Sequence, residues 1–437
     1  MNGRWANRLK LESQQAVFAA LQTSRLLTDE QLRLLPEFAD DASDCTQILG
    51  DLTLRRWLTP WQAQELRAGR SNFHLGKYTL IALVGRGKNG VVYQARHAET
   101  QHVVAIKVMA AEIASNERKL ARFLREIRLV SALQSPHVVL ALDAGCLGDC
   151  YFLVTEFLRG RNLLQWMQRE PSLPIAWACE CVRQAAVGLQ HVHERGLLHR
   201  DLKPANVMVT ADSVDTMPQV RILDLGLGRF VTGFDEQGDL TVDGRTLGTL
   251  AYMAPEQIKS GRDADVRSDI YALGCTLFQS LGRRLPFEGL NIEDTIIAKF
   301  ANEPPRLEAF RADVPLAIAD LVARMMRREP NERPQRAEDV AQALRPFSVA
   351  SGSQPKESAE GAEIVPDFFE FVQTMQKAPL DCCRPRQGVS WTQRSASWLR
   401  RSWNSLSLVP LRSRRKRQRR GKLPFRMETD DPNLSIP

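Results

Sequence analysis

His199-Arg200-Asp201-Leu202-Lys203-Pro204-Ala205-Asn206 and, past the strand-like Val220 to Leu223, Asp224-Leu225-Gly226 decide how this chain is read. Two carboxylates and an amide at the ends of strands and loops are the groups that hold a hard cation through oxygen and orient a hydroxyl for reaction. A single loop aspartate is commonly a turn former, so the weight falls on the set. Upstream, Gly85-Arg86-Gly87-Lys88-Asn89-Gly90 supplies glycines that let backbone approach phosphate oxygens. A dinucleotide-binding fold would need that loop to open a helix, but Val91-Val92-Tyr93 continues as strand and Glu99-Thr100 turns into another. The glycines therefore sit in a hairpin, as a lid above a nucleotide.

Working outward, Lys107 ends the strand Val104-Ala105-Ile106-Lys107, where its ammonium can reach phosphates. Leu120, Phe123, Leu124, Ile127 and Val130 form one stripe at helical spacing, predicting a helix over 115–133 with Glu126 at the stripe's margin, able to face the lysine. Taken singly, a strand lysine or a helix glutamate is more often a solvated charge. Short β-branched runs at Tyr78 to Val84, Val91 to Ala95, Val103 to Met109 and Tyr151 to Phe157 predict an antiparallel sheet. Beyond 160 the periodicity is mainly helical, over Ala176 to Glu194, Ser268 to Leu281, Ile292 to Phe300, Leu316 to Arg328 and Ala337 to Leu344.

These motifs, in this order, resemble the eukaryotic-type serine/threonine protein kinase family over 78–348. The resemblance implies an α+β, two-lobed protein kinase fold, with a small antiparallel β-sheet lobe over 78–158 and a larger, mainly helical lobe over 159–348. It also implies transfer of the γ-phosphoryl of MgATP to Ser or Thr of protein substrates. By the same resemblance Val84, Gly85, Gly87, Gly90, Val92 and Ala105 enclose ATP, Glu156 and Leu158 offer backbone groups to adenine beside Thr155, and Lys107 holds phosphates and pairs with Glu126. Asp201 takes or orients the hydroxyl proton with Lys203 beside it, and Asn206 and Asp224 hold Mg²⁺. Glu256 is expected to pair with Arg333, and Asp269 to brace the catalytic loop. Lys203 and Gly248-Thr249 resemble the serine/threonine subgroup. Arg200 implies activation by phosphorylation, with Thr241 and Thr246 the candidate sites and autophosphorylation expected. Asn89 and Leu225 depart from the family's usual aromatic or Met and its Phe, without removing a needed charge. A scaffold that keeps the fold only to bind a partner is the rival reading, and the presence of Lys107, Asp201, Asn206 and Asp224 weighs against it.

The 437 residues have room for such a domain and appendages. Residues 1–70 predict a small helical module with caps at Thr28 and Thr59, each followed three residues later by Gln. Its placement before the lid resembles kinases of planctomycete-type bacteria and suggests a docking partner. Residues 71–77 read as linker. From 349 the pattern fades into a tail, basic from Asp381 onward with 14 Lys or Arg against 4 Asp or Glu. The tail is read either as a solvated segment or as a surface for anionic membrane or nucleic acid. No run of about 18 apolar residues and no signal-like start occurs, so a cytoplasmic location is expected. The eight cysteines form no zinc-type spacing, although Cys146 and Cys150 flank a hairpin tip and raise the thought of a disulfide or half a metal site.

Overall fold

The computed structural model describes residues 13–35, 45–87, 90–109, 133–147, 150–225, 250–261 and 263–348. Glu126 and nearly all of its expected helix, Asn89, Thr241, Thr246 and the tail from 349 lie outside them.

Helices α1 (Gln14–Ser24), α2 (Asp29–Leu34), α3 (Cys45–Leu54) and α4 (Pro60–Arg67) open the described chain. Thr28 and Thr59 each form a capping box, the side-chain oxygen taking the amide of Gln31 or Gln62 while that glutamine reaches back to the threonine amide. Val17, Leu21, Ile48, Leu49, Leu52, Leu66 and Phe73 pack into one apolar cluster. Trp61 belongs to this cluster and also to the one under the sheet, with its ring 5.8 Å from Phe73 and 5.6 Å from Tyr93. The Arg70 guanidinium covers the rings of Trp61, Phe73 and Tyr93 at 5.2, 5.5 and 5.3 Å. The stretch read as linker is partly strand: β1 (His74–Leu75) pairs with β2 (Tyr78–Gly87), and the Leu80 amide donates to the Phe73 carbonyl. A two-residue strand is too short for alternation to show in sequence.

β2 continues into β3 (Gly90–His97), β4 (Val103–Met109), β5 (Ala141–Leu147) and β6 (Cys150–Glu156), in the sheet order β1-β2-β3-β4-β6-β5. The sheet curls enough for the Tyr78 hydroxyl on β2 to donate to Asp143 on β5 at 2.8 Å. Side chains alternate across it. Ile106, Phe152 and Val154 face Leu75, Tyr78 and Leu80, whereas Leu153, next to Lys107 across the β4–β6 pair, packs on the core of the second lobe. β5 was not anticipated, because Ala141-Leu142-Asp143-Ala144-Gly145 lacks β-branched residues. In the β5–β6 register Cys150 opposes Leu147 and Cys146 opposes Tyr151, so the two thiols project to opposite faces. Neither is joined in a disulfide, which goes against that reading.

After β7 (Arg161–Asn162), helix α5 (Leu163–Arg169) starts at an Asn162 capping box, and α6 (Ile175–Glu194) crosses the lobe. Trp177, Cys181, Ala185, Leu189 and Val192 recur at near-helical spacing along α6, and all are buried. Each large side chain so buried contributes roughly 1.5–3 kcal/mol. The helix ends where Gly196 takes φ 70° and the amides of Gly196 and Leu197 turn back to the carbonyls of His193 and Val192. That reversal delivers the chain into the 197–206 loop. β8 (Val207–Thr210) and β9 (Gln219–Ile222) form a hairpin joined to β7, and α7 (Pro255–Lys259), α8 (Val266–Gly282), α9 (Ile292–Ala301), α10 (Leu316–Met325) and α11 (Ala337–Leu344) complete the lobe. Among the described residues no helix is long and apolar enough to cross a membrane.

Candidate active site

The β8–β9 hairpin pairs Val207 with Ile222, which places Asn206 and Asp224 just beyond one end of the pair. The Leu223 amide closes that end on the Asn206 carbonyl at 2.9 Å. Asp224 adopts φ 58° and Arg200 φ 64°, left-handed conformations that cost a non-glycine residue about 1–3 kcal/mol each and persist where surroundings over-determine them. For Arg200 the surroundings are explicit. The Asp269 carboxylate, in the first turn of α8, accepts the amides of His199 at 2.8 Å and Arg200 at 2.7 Å, and His193 Nε2 lies 2.9 Å from it. Burial would raise the Asp269 carboxyl, but the hydrogen bond and charge of His193 and the His199 contacts hold it below the usual carboxylate range. The buried His199 bridges two segments of the site, its Nδ1 accepting the Asp201 amide and its Nε2 donating to the Leu223 carbonyl.

Asp201 is therefore set on a braced backbone. Lys203 Nζ meets both of its carboxylate oxygens, at 2.9 and 2.8 Å, and Asn206 Nδ2 donates to its main-chain carbonyl at 2.7 Å. With its amide nitrogen committed, Asn206 has its carbonyl oxygen to offer elsewhere. Opposite, Lys107 Nζ lies 2.7 Å from Asp224 Oδ1. Burial would raise the Asp224 carboxyl, yet the adjoining ammonium holds it below the ordinary range, aided by His199 and Lys203. The donor set of Asn206 amide oxygen and Asp224 carboxylate fits a hard, oxygen-seeking divalent cation.

The register carries the remaining residues. Val92 opposes Lys107, Lys107 opposes Leu153 and Ala105 opposes Thr155, so these side chains share the sheet face that looks toward the second lobe. Gly85 stands opposite Val92 and Gly87 opposite Gly90, which confirms the glycines in a hairpin. Gly90 has φ 137°, and a side chain there would collide with the Val108 carbonyl, so this position requires glycine. Val84 and Gly87 are the exposed members of the group, Val84 at 55%. Glu156 spends its amide on the Leu140 carbonyl and its carboxylate on the Leu140 amide, and its own carbonyl accepts from the Thr155 hydroxyl at 3.3 Å. Leu158 follows in the crossing segment between the lobes.

Sequence reasoning missed His193, which reaches Asp269 across the lobe, and Gln257, whose Nε2 donates to the Arg200 carbonyl at 2.8 Å. Neither stands in a spacing that marks it; each acts through a fold contact. The pair expected between Glu256 and Arg333 is present and bidentate, at 2.7 and 2.8 Å.

Comparison with known proteins gives the same picture. The protein kinase domain model matches residues 78–344. The serine/threonine-protein kinase pkn3 of Myxococcus xanthus is 34% identical over 295 residues, which is 66% of this chain and 54% of that one. The serine/threonine-protein kinase PknE of Mycobacterium bovis is 34% identical over 265 residues, 60% of this chain and 45% of its own length. The chain thus spans about half the length of the curated relatives it matches. Among solved structures, the Mycobacterium tuberculosis PknI kinase domain superposes with a TM-score of 0.50 at 25% identity, covering 63% of this chain and 98% of PknI. A Rad53 fragment in complex with AMP-PNP gives 0.51 at 25% identity, covering 62% of this chain and 66% of Rad53. With the matched model spanning more than half of its length and the motif residues gathered between two lobes, this chain belongs to the protein kinase domain family.

Proposed function

We propose that the chain transfers the γ-phosphoryl of ATP to serine or threonine hydroxyls of protein substrates. The observation that carries the reading is the grouping of Asp201, Lys203 and Asn206 on one braced loop, with the Lys107–Asp224 pair on the facing strand and hairpin. Phosphoryl transfer asks a protein mainly for positioning and charge stabilisation. The Asp201 carboxylate, held by Lys203, accepts a hydrogen bond from the acceptor hydroxyl and takes its proton as the new P–O bond forms and the bond from the γ-phosphorus to the β–γ bridging oxygen breaks, releasing ADP. Lys203 then faces the negative charge carried by the transferring group. Lys107 has further N–H donors beyond the one aimed at Asp224, and these reach for phosphate oxygens of the nucleotide. Asn206 and Asp224 would hold Mg²⁺, which when bound neutralises phosphate charge. Val92, Ala105 and the Glu156–Leu158 segment would enclose the adenine, under Val84, Gly85, Gly87 and Gly90.

The test is transfer of labelled phosphate from MgATP to a basic protein and to the chain itself, comparing wild type with Asp201→Asn. Loss by about 10²–10⁴-fold with unchanged melting temperature, and phosphate on Ser or Thr, supports the reading. A folded wild type without transfer would favour a partner-binding scaffold. Phosphorylation of Thr241 or Thr246, paired with Arg200, is the regulation we propose; full activity in the double Ala variant would discard it.

A further inference from the structure

Lys299 on α9 is a buried cation that the phosphotransfer reading does not use. It is 2% exposed, and its ammonium donates to the Ala251 carbonyl at 3.0 Å, the Met253 carbonyl at 2.9 Å and the Tyr271 hydroxyl at 3.1 Å. The rings of Tyr271 and Phe287 lie 4.7 and 5.6 Å from it. Three protons meet three neutral acceptors, and no carboxylate touches the nitrogen among the described residues. Burial draws the ammonium down to about 8, so it keeps its proton at neutral pH. Burying a charge on neutral partners costs more than burying an apolar side chain of the same volume. Packing alone therefore does not account for a lysine here.

What the charge holds is the backbone of 251–253. On its apolar side the same segment is seated on α9, Leu250, Met253 and Ile258 packing against Ile292, Ile296 and Phe300. A few residues on, Gln257 ties it to the Arg200 carbonyl, next to Asp201. The segment is thus tied to the backbone that carries Asp201, the residue proposed to take the hydroxyl proton.

We propose that Lys299 is a positioning residue for the protein substrate: by gripping two carbonyls of 251–253 it pre-shapes the surface on which the peptide flanking the acceptor Ser or Thr lies. This rests on the phosphotransferase reading. The test uses the full chain and compares wild type, Lys299→Met and Lys299→Gln in KM and kcat for a protein substrate, KM for ATP, ATP hydrolysis without acceptor, and melting temperature. Lys299→Met is expected to raise the protein KM about tenfold, with ATP KM and acceptor-free hydrolysis unchanged and the melting temperature equal or higher. Lys299→Gln keeps two N–H donors without the charge and should show a smaller rise. It also serves if the Met variant does not fold. Unchanged protein KM in a folded variant, or a fall in kcat shared by transfer and hydrolysis, would assign a packing role and overturn the inference. A wild type that transfers nothing would instead remove the phosphotransferase reading beneath it.

Discussion

Two stretches of backbone in this protein are held by side chains from distant parts of the chain, and the chemistry of the two grips differs. In the sheet lobe, the β2–β3 register steps over Ile81, passing from Leu80–Ala95 to Ala82–Gln94. There Gln62 Nε2 donates to the Leu80 carbonyl at 2.8 Å and Thr59 Oγ1 to the Ile81 carbonyl at 2.6 Å. The N-terminal module thus satisfies acceptors that the bulge leaves over, using neutral donors. In the helical lobe the carbonyls of Ala251 and Met253 are held by the Lys299 ammonium, and the loops around them by Asp269 and the Glu256–Arg333 pair. Neutral donors add about 0.5–1.5 kcal/mol each. Buried charges add little net stability while intact but are costly to unbalance, so they fix geometry more than they strengthen the fold.

The sharpest way to break the contrast is to unbalance one of the charges. Glu256→Ala leaves the Arg333 guanidinium, whose side chain is fully buried, without its counter-charge. A loss of about 3–5 kcal/mol is expected, read as a lower midpoint in urea unfolding. Replacing Glu256 and Arg333 together by apolar residues should recover much of it, which a purely additive view of hydrogen bonds would not allow.

Next in size is Asp269→Asn. The amides of His199 and Arg200 lose a charged acceptor, at about 1.5–3 kcal/mol, and transfer activity should fall with it because the Asp201 backbone is no longer braced. The pH dependence has a definite sign. The folded-state carboxyl lies below its unfolded value, near 4, so its contribution is complete above that value and disappears as pH falls through the folded one. Stability curves of wild type and Asp269→Asn should differ at neutral pH and converge toward strong acid. Parallel curves would mean the carboxylate is not what braces the loop.

The smallest effect belongs to the neutral grip. Gln62→Ala should cost about 1 kcal/mol, with no change in its pH or salt dependence. A loss as large as that of Glu256→Ala would mean that the module and sheet unfold as one unit through this contact, and the distinction between the two grips would fail.

The candidate site was legible because its chemistry is local. Asp201, Lys203 and Asn206 lie within one short loop, Asp224 follows its hairpin directly, and the glycines lie at the paired ends of β2 and β3, so spacing along the chain stood in for spacing in the fold. The long helices α6 and α8 were visible for a similar reason, since their buried stripes follow the helical period. β5 and the β1 strand were not, because neither carries a run long or branched enough to signal its pairing. The caps at Thr28 and Thr59 were read correctly as helix starts. That Thr59 also spends its hydroxyl on β2 was invisible, because the bond spans 22 residues.

By itself, then, the sequence determined which residues carry charge, where most helices and strands fall, and that strands dominate before residue 160 and helices after it. Those properties follow from residue type and short-range periodicity. Only the tertiary structure decided that His193 and Gln257 support the backbone beside Asp201, that Lys299 holds the carbonyls of Ala251 and Met253, that the two thiols of the β5–β6 hairpin face apart, and that the N-terminal helices are joined to the sheet through Trp61, Arg70 and β1. The physical reason is common to all of them. A buried polar group must find its partner wherever the chain returns, and that partner is chosen by packing across many residues, which no local pattern records.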